Sequence, residues 1–174
     1  VLRMRNVEIK KDIYWVGSLD PKLRVFDIIM YTPYGTTYNS YIVKGSEKVA
    51  LFETVKEKCF DEYLKTLETL DITPDQIDYI VVDHTEPDHA GSVGKILKLA
   101  PHAKVVGSMQ AISYLKEIIN EDFDHIIVKD GDTISLGNKT LRFISAPFLH
   151  WTDSMYTYVE EDNIIVMSIE LNKE

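Results

Sequence analysis

A short segment of the chain, His84-Thr85-Glu86-Pro87-Asp88-His89, contains four potential metal ligands and constrains the fold more than any other feature. An apolar run, Ile80-Val81-Val82, precedes it, and three small residues, Ala90-Gly91-Ser92, follow it. This context predicts a buried strand that runs into a loop and then into a helix. The potential ligands therefore lie where a strand of a sheet ends.

The backbone of this segment decides how its side chains are arranged. Alternate side chains of an extended segment share a face, so we expect His84, Glu86 and Asp88 to point the same way. His89 then turns in as the chain bends. Pro87 lacks an N–H group and disfavours helical backbone at Glu86. This excludes the helical His-Glu-x-x-His zinc motif, whose two histidines lie one helical turn apart.

Two imidazoles and two carboxylates in one place are typical of a non-haem iron centre or of another metal centre with mixed nitrogen and oxygen ligands. The alternative is a polar loop whose charges are merely solvated. Histidine is scarce, with 5 in 174 residues, and two of them lie in this segment, which favours the metal centre.

A further candidate ligand, His150, lies far along the chain between Leu149 and Trp151. A lone histidine beside a tryptophan is more often structural, but the earlier cluster needs a ligand from elsewhere to complete its coordination shell. Two neighbouring metals can bind a diatomic molecule between them or activate a hydrolytic water. The five ligands divide into His84, Glu86 and His150 on one metal and Asp88 and His89 on the other.

Ligating imidazoles usually donate their second N–H group to a carboxylate or carbonyl. Glu53, Asp83 and Asp153 are candidates for this role, and for each an ordinary solvated or capping role remains open. His102 and His125 lie in surroundings typical of surface turns, and we expect neither to bind metal.

The composition, with 45% hydrophobic and 27% charged residues, is that of an ordinary soluble globular protein of one domain. A net charge of -9 argues against nucleic acid or an anionic membrane as a partner, because both would repel the chain. No apolar stretch reaches the roughly 20 residues of a membrane span. The single cysteine, Cys59, cannot form an internal disulfide, which suits a reducing cytoplasm, and we expect it to be buried.

The pattern of apolar residues predicts a β-meander, then alternating helices and strands, then further strands. This order suits two packed sheets with helices on their outer faces and a metal site at an edge where strands end. We expect runs such as Val25–Met30 to form the core of the sheets. The predicted strands are Ile13–Val16, Val25–Met30, Tyr38–Val43, Val49–Glu53, Tyr79–Val82, Lys104–Val106, Ile126–Val128, Thr133–Ser135, Leu141–Ser145, Tyr156–Val159 and Ile164–Met167, and the predicted helices are Lys56–Leu70, Val93–Leu99 and Met109–Ile119.

The spacing His84-x-Glu86-x-Asp88-His89, followed by His150-Trp151, resembles the diiron domain of the flavodiiron proteins, which reduce dioxygen and nitric oxide. The resemblance extends over most of the chain, to about Met167. It implies an α/β (α+β) fold, the metallo-β-lactamase-like αββα sandwich, over residues 1–167, apparently without its C-terminal part. The other matching segments are 7–17, 35–41, 50–56, 105–108, 131–133 and 150–158.

By this resemblance the site is a non-haem diiron centre with His84, Glu86, Asp88, His89 and His150 as ligands. Hydrolases of the same fold carry His where Glu86 stands, and a carboxylate there favours iron over zinc. The centre would reduce nitric oxide to nitrous oxide or dioxygen to water. Its electrons would come from a flavin or a rubredoxin-type donor, with FMN held in a flavodoxin-like domain outside this chain. The resemblance also implies a head-to-tail homodimer or tetramer, and Trp151 is a candidate shield that faces the flavin.

The chain departs from the family pattern at several points. The family places a bridging Asp where this chain has Ile169, and Glu170 beside it is the candidate substitute. The family also supplies a histidine from beyond residue 174 and Asp in place of Glu53. We therefore expect closing strands and a helix of the domain to be missing, with residues 168–174 a tail of uncertain connection. We expect no flavodoxin domain within the chain.

Two other functions remain open beside the leading prediction of a diiron reductase. One is a diiron oxygen sensor or carrier of the same fold, which the short chain favours because it encodes no electron donor. The other is a binuclear zinc hydrolase with a metal-bound hydroxide as its nucleophile. The carboxylate of Glu86 counts against the hydrolase.

Overall fold

The computed structural model describes residues 6–26 and 28–167, so the predicted tail and its Glu170 lie outside the described residues. The strands are β1 Val7–Lys10, β2 Ile13–Trp15, β3 Ser18–Asp20, β4 Val25–Phe26, β5 Met30–Tyr31, β6 Thr36–Tyr38, β7 Tyr41–Lys44, β8 Val49–Phe52, β9 Tyr79–Val82, β10 Lys104–Gly107, β11 His125–Ile127, β12 Thr133–Ser135, β13 Thr140–Ser145, β14 Met155–Val159 and β15 Ile164–Val166. The α-helices are α1 Phe60–Glu68, α2 Pro87–Ala90, α3 Val93–Leu99 and α4 Met109–Ile119, and short 3-10 turns span Glu57–Cys59, Pro74–Gln76 and Glu160–Asp162.

The larger main sheet has the strand order β1-β2-β7-β8-β9-β10-β11. Strands β1, β2, β7 and β8 pair antiparallel, whereas β8, β9, β10 and β11 run parallel to one another. Parallel strands end at the same edge of a sheet, so the residues that follow them are brought together. Glu53 follows β8, Asp83 and His84 follow β9, and Ser108 follows β10. This edge carries the candidate site.

The smaller main sheet, in the order β12-β13-β14-β15, is antiparallel and packs face to face on the larger sheet. Side chains of both sheets form one buried cluster, in which Phe52 and Val81 of the larger sheet meet Phe143 of the smaller. Along β14, fully buried and partly buried residues alternate from Met155 to Val159, as expected for a strand with one face in the core.

Helices α1, α3 and α4 cover the opposite face of the larger sheet. Tyr63 and Leu67 of α1, Ile96 of α3 and Leu115 of α4 pack in one cluster with strand residues such as Ile80. The fold class predicted from the sequence, two packed sheets with helices outside them, is confirmed. Within the described ranges, no helix is long and apolar enough to cross a membrane.

The predicted core strand Val25–Met30 is wrong. Val25 and Phe26 form one strand of a separate two-stranded hairpin, and Met30 begins the other. Between them, Ile28 is 94% exposed with a φ of 70°, and Ile29 is 85% exposed. The run has the apolar composition of a core strand, but composition alone does not decide which side chains find a partner surface.

The predicted strand Tyr38–Val43 is divided in two. Tyr38 ends β6, which pairs with β3, and Tyr41 begins β7 in the larger sheet. The break lies at Asn39 and Ser40, whose side chains make specific contacts. Trp15 Nε1–H donates to Asn39, and the Ser40 hydroxyl donates to the carbonyls of Phe52 and Glu53 at the end of β8. The other predicted strands agree within one or two residues, and α3 and α4 have the predicted bounds.

Candidate metal centre

The segment after β9 is extended only as far as Glu86. Glu86 has φ −61° and ψ 148° and is the N-cap of α2, and Pro87 occupies the first turn of that helix, where its fixed φ and missing N–H are favourable. Asp88 and His89 therefore lie in a helical turn, and the predicted extended alternation ends before Asp88. The backbone of Gly91 packs closely against this turn, since a Cβ at Gly91 would lie 2.4 Å from the Pro87 carbonyl oxygen.

Three of the predicted ligands converge at the end of β9. Ligand atoms of His84, Glu86 and His150 all lie within 4.8 Å of one another. Glu86 Oε2 lies between the imidazoles, 3.1 Å from His84 Nε2 and 3.3 Å from His150 Nε2. These are the three residues that the sequence assigned to one metal, and we call them the first group.

His150 reaches this group from a strained and partly exposed loop. Its φ is 119° and that of Phe148 is 66°, both in the region that favours glycine. The His150 side chain is 41% exposed, whereas that of His84 is 1% exposed. A backbone hydrogen bond of 2.8 Å from Phe148 N to Trp151 O closes the loop. Backbone strain of this kind is concentrated at functional sites.

Asp88 and His89, which we call the second group, are buried at 4% and 8% exposure. His89 Nε2 lies 3.4 Å from Asp88 Oδ2, and His89 Nδ1 lies 3.8 Å from Glu53 Oε2. The His84 and His89 rings are 5.5 Å apart, so the two groups are neighbours. Thr54 anchors the helical turn, because its N–H and its hydroxyl both donate to the His89 carbonyl, at 2.6 and 2.7 Å.

The three carboxylates proposed as supports have different contacts. Asp153 Oδ1 lies 3.1 Å from His84 Nδ1, so it contacts a predicted ligand directly. Glu53 Oε1 accepts the Asp83 N–H at 2.6 Å. Asp83 Oδ1 accepts the Thr157 hydroxyl at 3.0 Å, and burial raises the Asp83 pKa well above its usual value. The sequence did not single out Thr54, which lies two residues after β8, or Thr157, which lies in the middle of β14.

The electrostatics of His84 and His89, two of the three histidines predicted as ligands, differ. Burial alone would lower the pKa of His84, but hydrogen bonds to Asp153 and Glu86 and the charges of Asp153 and Glu53 outweigh it and hold that pKa above its usual value. Burial lowers the pKa of His89 in spite of the neighbouring Asp88. A lowered pKa favours the neutral imidazole, which is the form that ligates metals.

Trp151 lies beside the first group, with its ring centroid 5.1 Å from that of His84 and 6.3 Å from that of His150. It is 45% exposed, so one part of the indole covers the histidines and another part faces solvent. His102 lies in an exposed turn, as expected. His125 begins β11, so its predicted place in a surface turn is wrong.

The residues present fit a metal ion. Two imidazoles and one carboxylate with convergent atoms are the ligand set of many non-haem iron sites, and His84 engages its second nitrogen with Asp153, as ligating imidazoles require. Asp88 Oδ1 and His89 Nδ1 are buried and have no hydrogen-bond partner among the described residues. Buried polar atoms of this kind are unfavourable unless something else binds them.

The chain is similar to known proteins. Residues 36–169 match the family model described as ODP family beta lactamase. The chain belongs to this family. It is 49% identical over 163 residues to the flavo-diiron protein FprA2 of Clostridium acetobutylicum, an alignment that covers 92% of this chain and 40% of the relative. It is 42% identical over 162 residues to the nitric oxide reductase of Moorella thermoacetica, with coverage of 92% and 40%.

Solved structures give the same result. The rubredoxin oxygen:oxidoreductase of Desulfovibrio gigas superposes with a TM-score of 0.89 at 32% identity, covering 94% of this chain and 40% of that one. The flavodiiron protein of Giardia intestinalis superposes with a TM-score of 0.87 at 33% identity. The resemblance to flavodiiron proteins found in the sequence is confirmed. The chain spans about 40% of the length of the curated relatives named here.

Proposed function

We propose that this chain is the metal-binding part of a diiron reductase that converts dioxygen to water, nitric oxide to nitrous oxide, or both. The observation that carries the proposal is the convergence of His84, Glu86 and His150 within 4.8 Å. The names of similar proteins, a nitric oxide reductase and a rubredoxin oxygen:oxidoreductase, support it. The carboxylate of Glu86 between two imidazoles favours iron over zinc.

In this proposal the first group, His84, Glu86 and His150, holds one iron, and the second group, Asp88 and His89, contributes to the other. When bound, the two iron ions would supply electrons and neighbouring open positions for a diatomic gas. Reduction of one dioxygen to two waters consumes four electrons and four protons. Reduction of two nitric oxide molecules to nitrous oxide and one water consumes two of each.

The protein residues would hold and shield this centre. The single negative charge of Glu86 lies within 3.3 Å of both imidazoles of its group and orients them toward one point. Trp151 covers the same imidazoles from the solvent side and would limit the access of water. Phe148 and Leu149, in the same loop, are 77% and 59% exposed. Together with Trp151 they form an exposed apolar surface, which we call the apolar rim.

Electrons would enter from outside the described residues. We propose FMN in a flavodoxin-like domain as the donor, supplied in turn by a rubredoxin-type protein, with Trp151 facing the flavin. A head-to-tail homodimer or tetramer would bring such a flavin to the apolar rim. We further propose a cytoplasmic location, which agrees with a single buried cysteine, Cys59.

The test is gas consumption by the anaerobically purified, iron-loaded chain with reduced FMN and a flavin reductase supplied. We expect dioxygen loss at an electrode, or nitrous oxide in the headspace, at a rate above that of reduced flavin alone. The variant His150→Ala should lose this activity, and the matched control His102→Ala, in an exposed turn, should keep it.

Other outcomes would support the alternatives. Reversible dioxygen binding by the iron-loaded chain without turnover would favour a sensor or carrier. Purification with zinc and hydrolysis of thioesters or lactams would favour the hydrolase. Activity that survives in His150→Ala would contradict the assignment of the first group.

A further inference from the structure

We propose that Asp153 is a positioning residue that determines which nitrogen of His84 faces the metal. Asp153 is 0% exposed, and its Oδ1 and Oδ2 atoms lie 3.1 and 3.2 Å from His84 Nδ1. The inference rests on the proposed function only in taking His84 as a metal ligand. The identity of the metal and of the substrate does not enter it.

Thr85 fixes the orientation of the Asp153 carboxylate. The backbone N–H of Thr85 donates to Asp153 Oδ2 at 2.8 Å, and its hydroxyl donates to the same oxygen at 2.6 Å. The carboxylate thus accepts both donors of Thr85 and faces His84 Nδ1. An ionised carboxylate only accepts hydrogen bonds, so the atom of His84 that faces it must carry a proton.

The consequence for His84 follows from the chemistry of imidazole. When Nδ1 carries the single proton of the neutral ring, Nε2 presents its lone pair. Nε2 is the atom that lies 3.1 Å from Glu86 Oε2, within the first group. Glu86 could instead accept a hydrogen bond from a protonated Nε2 and so favour the other tautomer. Glu86 is 15% exposed, however, whereas Asp153 is buried and held by Thr85. Asp153 therefore favours the tautomer that can ligate a metal at Nε2.

Asp153 connects the two chain segments that supply the first group, the segment after β9 and the loop that contains His150. It lies three residues after His150, in the same loop between β13 and β14. The Ser108 hydroxyl donates to the Asp153 carbonyl at 2.9 Å, and Met155 N donates to the Asp83 carbonyl at 3.0 Å. The loop that supplies His150 thus also supplies the carboxylate that orients His84.

The substitution Asp153→Asn distinguishes this role from simple packing, because it preserves size while it removes the negative charge and replaces one acceptor oxygen with an NH₂ donor. The Thr85 N–H cannot accept a hydrogen bond, so the new amide must present its oxygen to Thr85. Its NH₂ group then faces His84 Nδ1, which must become an acceptor. The proton moves to Nε2 and blocks the metal-facing atom.

The experiment uses the full chain with Zn²⁺ alone as a diamagnetic probe. Chelator competition gives the Zn²⁺ affinity, and ¹⁵N NMR of labelled histidines gives the His84 tautomer. We expect Asp153→Asn to weaken Zn²⁺ binding by about 10- to 100-fold, the range for partners of ligating histidines. Its metal-free spectrum at alkaline pH should show the proton on Nε2. Thr85→Val keeps the carboxylate and one donor, and should weaken binding only a few-fold. The exposed acid Asp75 provides a matched control, Asp75→Asn, which should change neither readout.

The results separate this inference from the proposed function. An Asp153→Asn variant with wild-type affinity and a protonated Nδ1 would overturn the inference. If that variant does not fold, the wild-type spectrum decides, since a Zn²⁺-loaded His84 without a proton on Nδ1 would also overturn it. A wild-type chain that carries the Nδ1 proton but binds no metal would refute the proposed function and the metal-positioning role, and would leave only the hydrogen bond by which Asp153 orients the His84 ring.

Discussion

His84, Glu86 and His150 bring three ligand atoms within 4.8 Å of one another, whereas Asp88 and His89 form a pair with 3.4 Å between His89 Nε2 and Asp88 Oδ2. In the part of the chain that the structure describes, three ligand atoms converge only in the first group. The first group combines two distant segments, and the second comes from one helical turn. Under the proposed function, the described residues would supply three converging ligands to one metal position and two ligands to the other.

The two groups also differ in their surroundings. The second group is buried and its helical turn is anchored by Thr54. The first group includes His150, which is 41% exposed on a strained loop. Burial therefore does not identify the more complete group. The converging atoms and the oriented imidazole of His84 identify it.

The largest expected effect is on metal binding by the first group. His150→Ala removes one of its three proposed ligands. Loss of a residue that only hydrogen-bonds to a ligand lowers metal affinity by up to roughly 100-fold. We expect the affinity for the first equivalent of Fe²⁺ to fall by more than this. The free energy of unfolding of the metal-free chain should change little, because the side chain is 41% exposed. Anaerobic titration with a competing chelator measures the affinity. An unchanged first affinity would refute the assignment of His150.

The complementary experiment removes a proposed ligand from the second group. His89→Ala should abolish binding of a second Fe²⁺ while the first equivalent keeps its affinity within a few-fold, because His89 is not among the converging atoms of the first group. The same titration measures both. Equal loss of the two equivalents would show that the groups act as one site.

A third comparison isolates the strain in the His150 loop. At a φ of 119°, glycine has no steric penalty, so metal-free His150→Gly should be more stable than His150→Ala by about 1 kcal/mol. Urea unfolding of the two variants measures the difference, and both should lack the first metal equally. A more stable Ala variant would show that the loop relaxes and that the strain is not held by the fold.

The smallest expected effect concerns a support away from the ligands, where Asp20 accepts hydrogen bonds from Tyr38 and Lys58. Burial alone would raise the Asp20 pKa, but these partners outweigh it and lower the pKa. Asp20 therefore stabilises the fold above its ordinary pKa of about 4, and this stability is lost as the pH falls through the lower folded value. Solvent screens the pair because Lys58 is 54% exposed, so Asp20→Asn should cost at most about 1 kcal/mol at neutral pH.

Denaturant unfolding from pH 7 to pH 2.5 measures this effect. The difference between wild type and Asp20→Asn should shrink below about pH 4, and iron affinity at neutral pH should not change. A difference that grows in acid would contradict the sign of the pKa shift.

The sequence predicted the parts of the fold in which local pattern and tertiary packing agree. Helices α3 and α4 matched because their apolar positions recur at helical spacing, and Ser108 caps α4 by accepting the Ala111 N–H. The run Val25–Met30 failed as one strand because Ile28 and Ile29 face solvent between two short strands, although Phe26 is buried in the core. Which surface an apolar run meets depends on contacts that no local window contains.

In the candidate site, too, the sequence predicted some features and missed those that depend on tertiary contacts. The grouping of His84 and Glu86 with His150 was predicted from spacing and resemblance, and the structure brings these three residues together. The four-residue turn that holds Asp88 was missed, because so short a helix has no periodicity to detect. The contact between Asp153 and His84 joins residues far apart in sequence, and the sequence identified Asp153 only as one of several candidates.

The most direct test of the account is the stoichiometry and affinity of Fe²⁺ binding to the anaerobic, metal-free chain. We expect two classes of site, a tighter one that is lost in His150→Ala and a weaker one that is lost in His89→Ala. A chain that binds no iron, or that binds iron equally well in His150→Ala, would contradict the proposal that the first group is the centre of function.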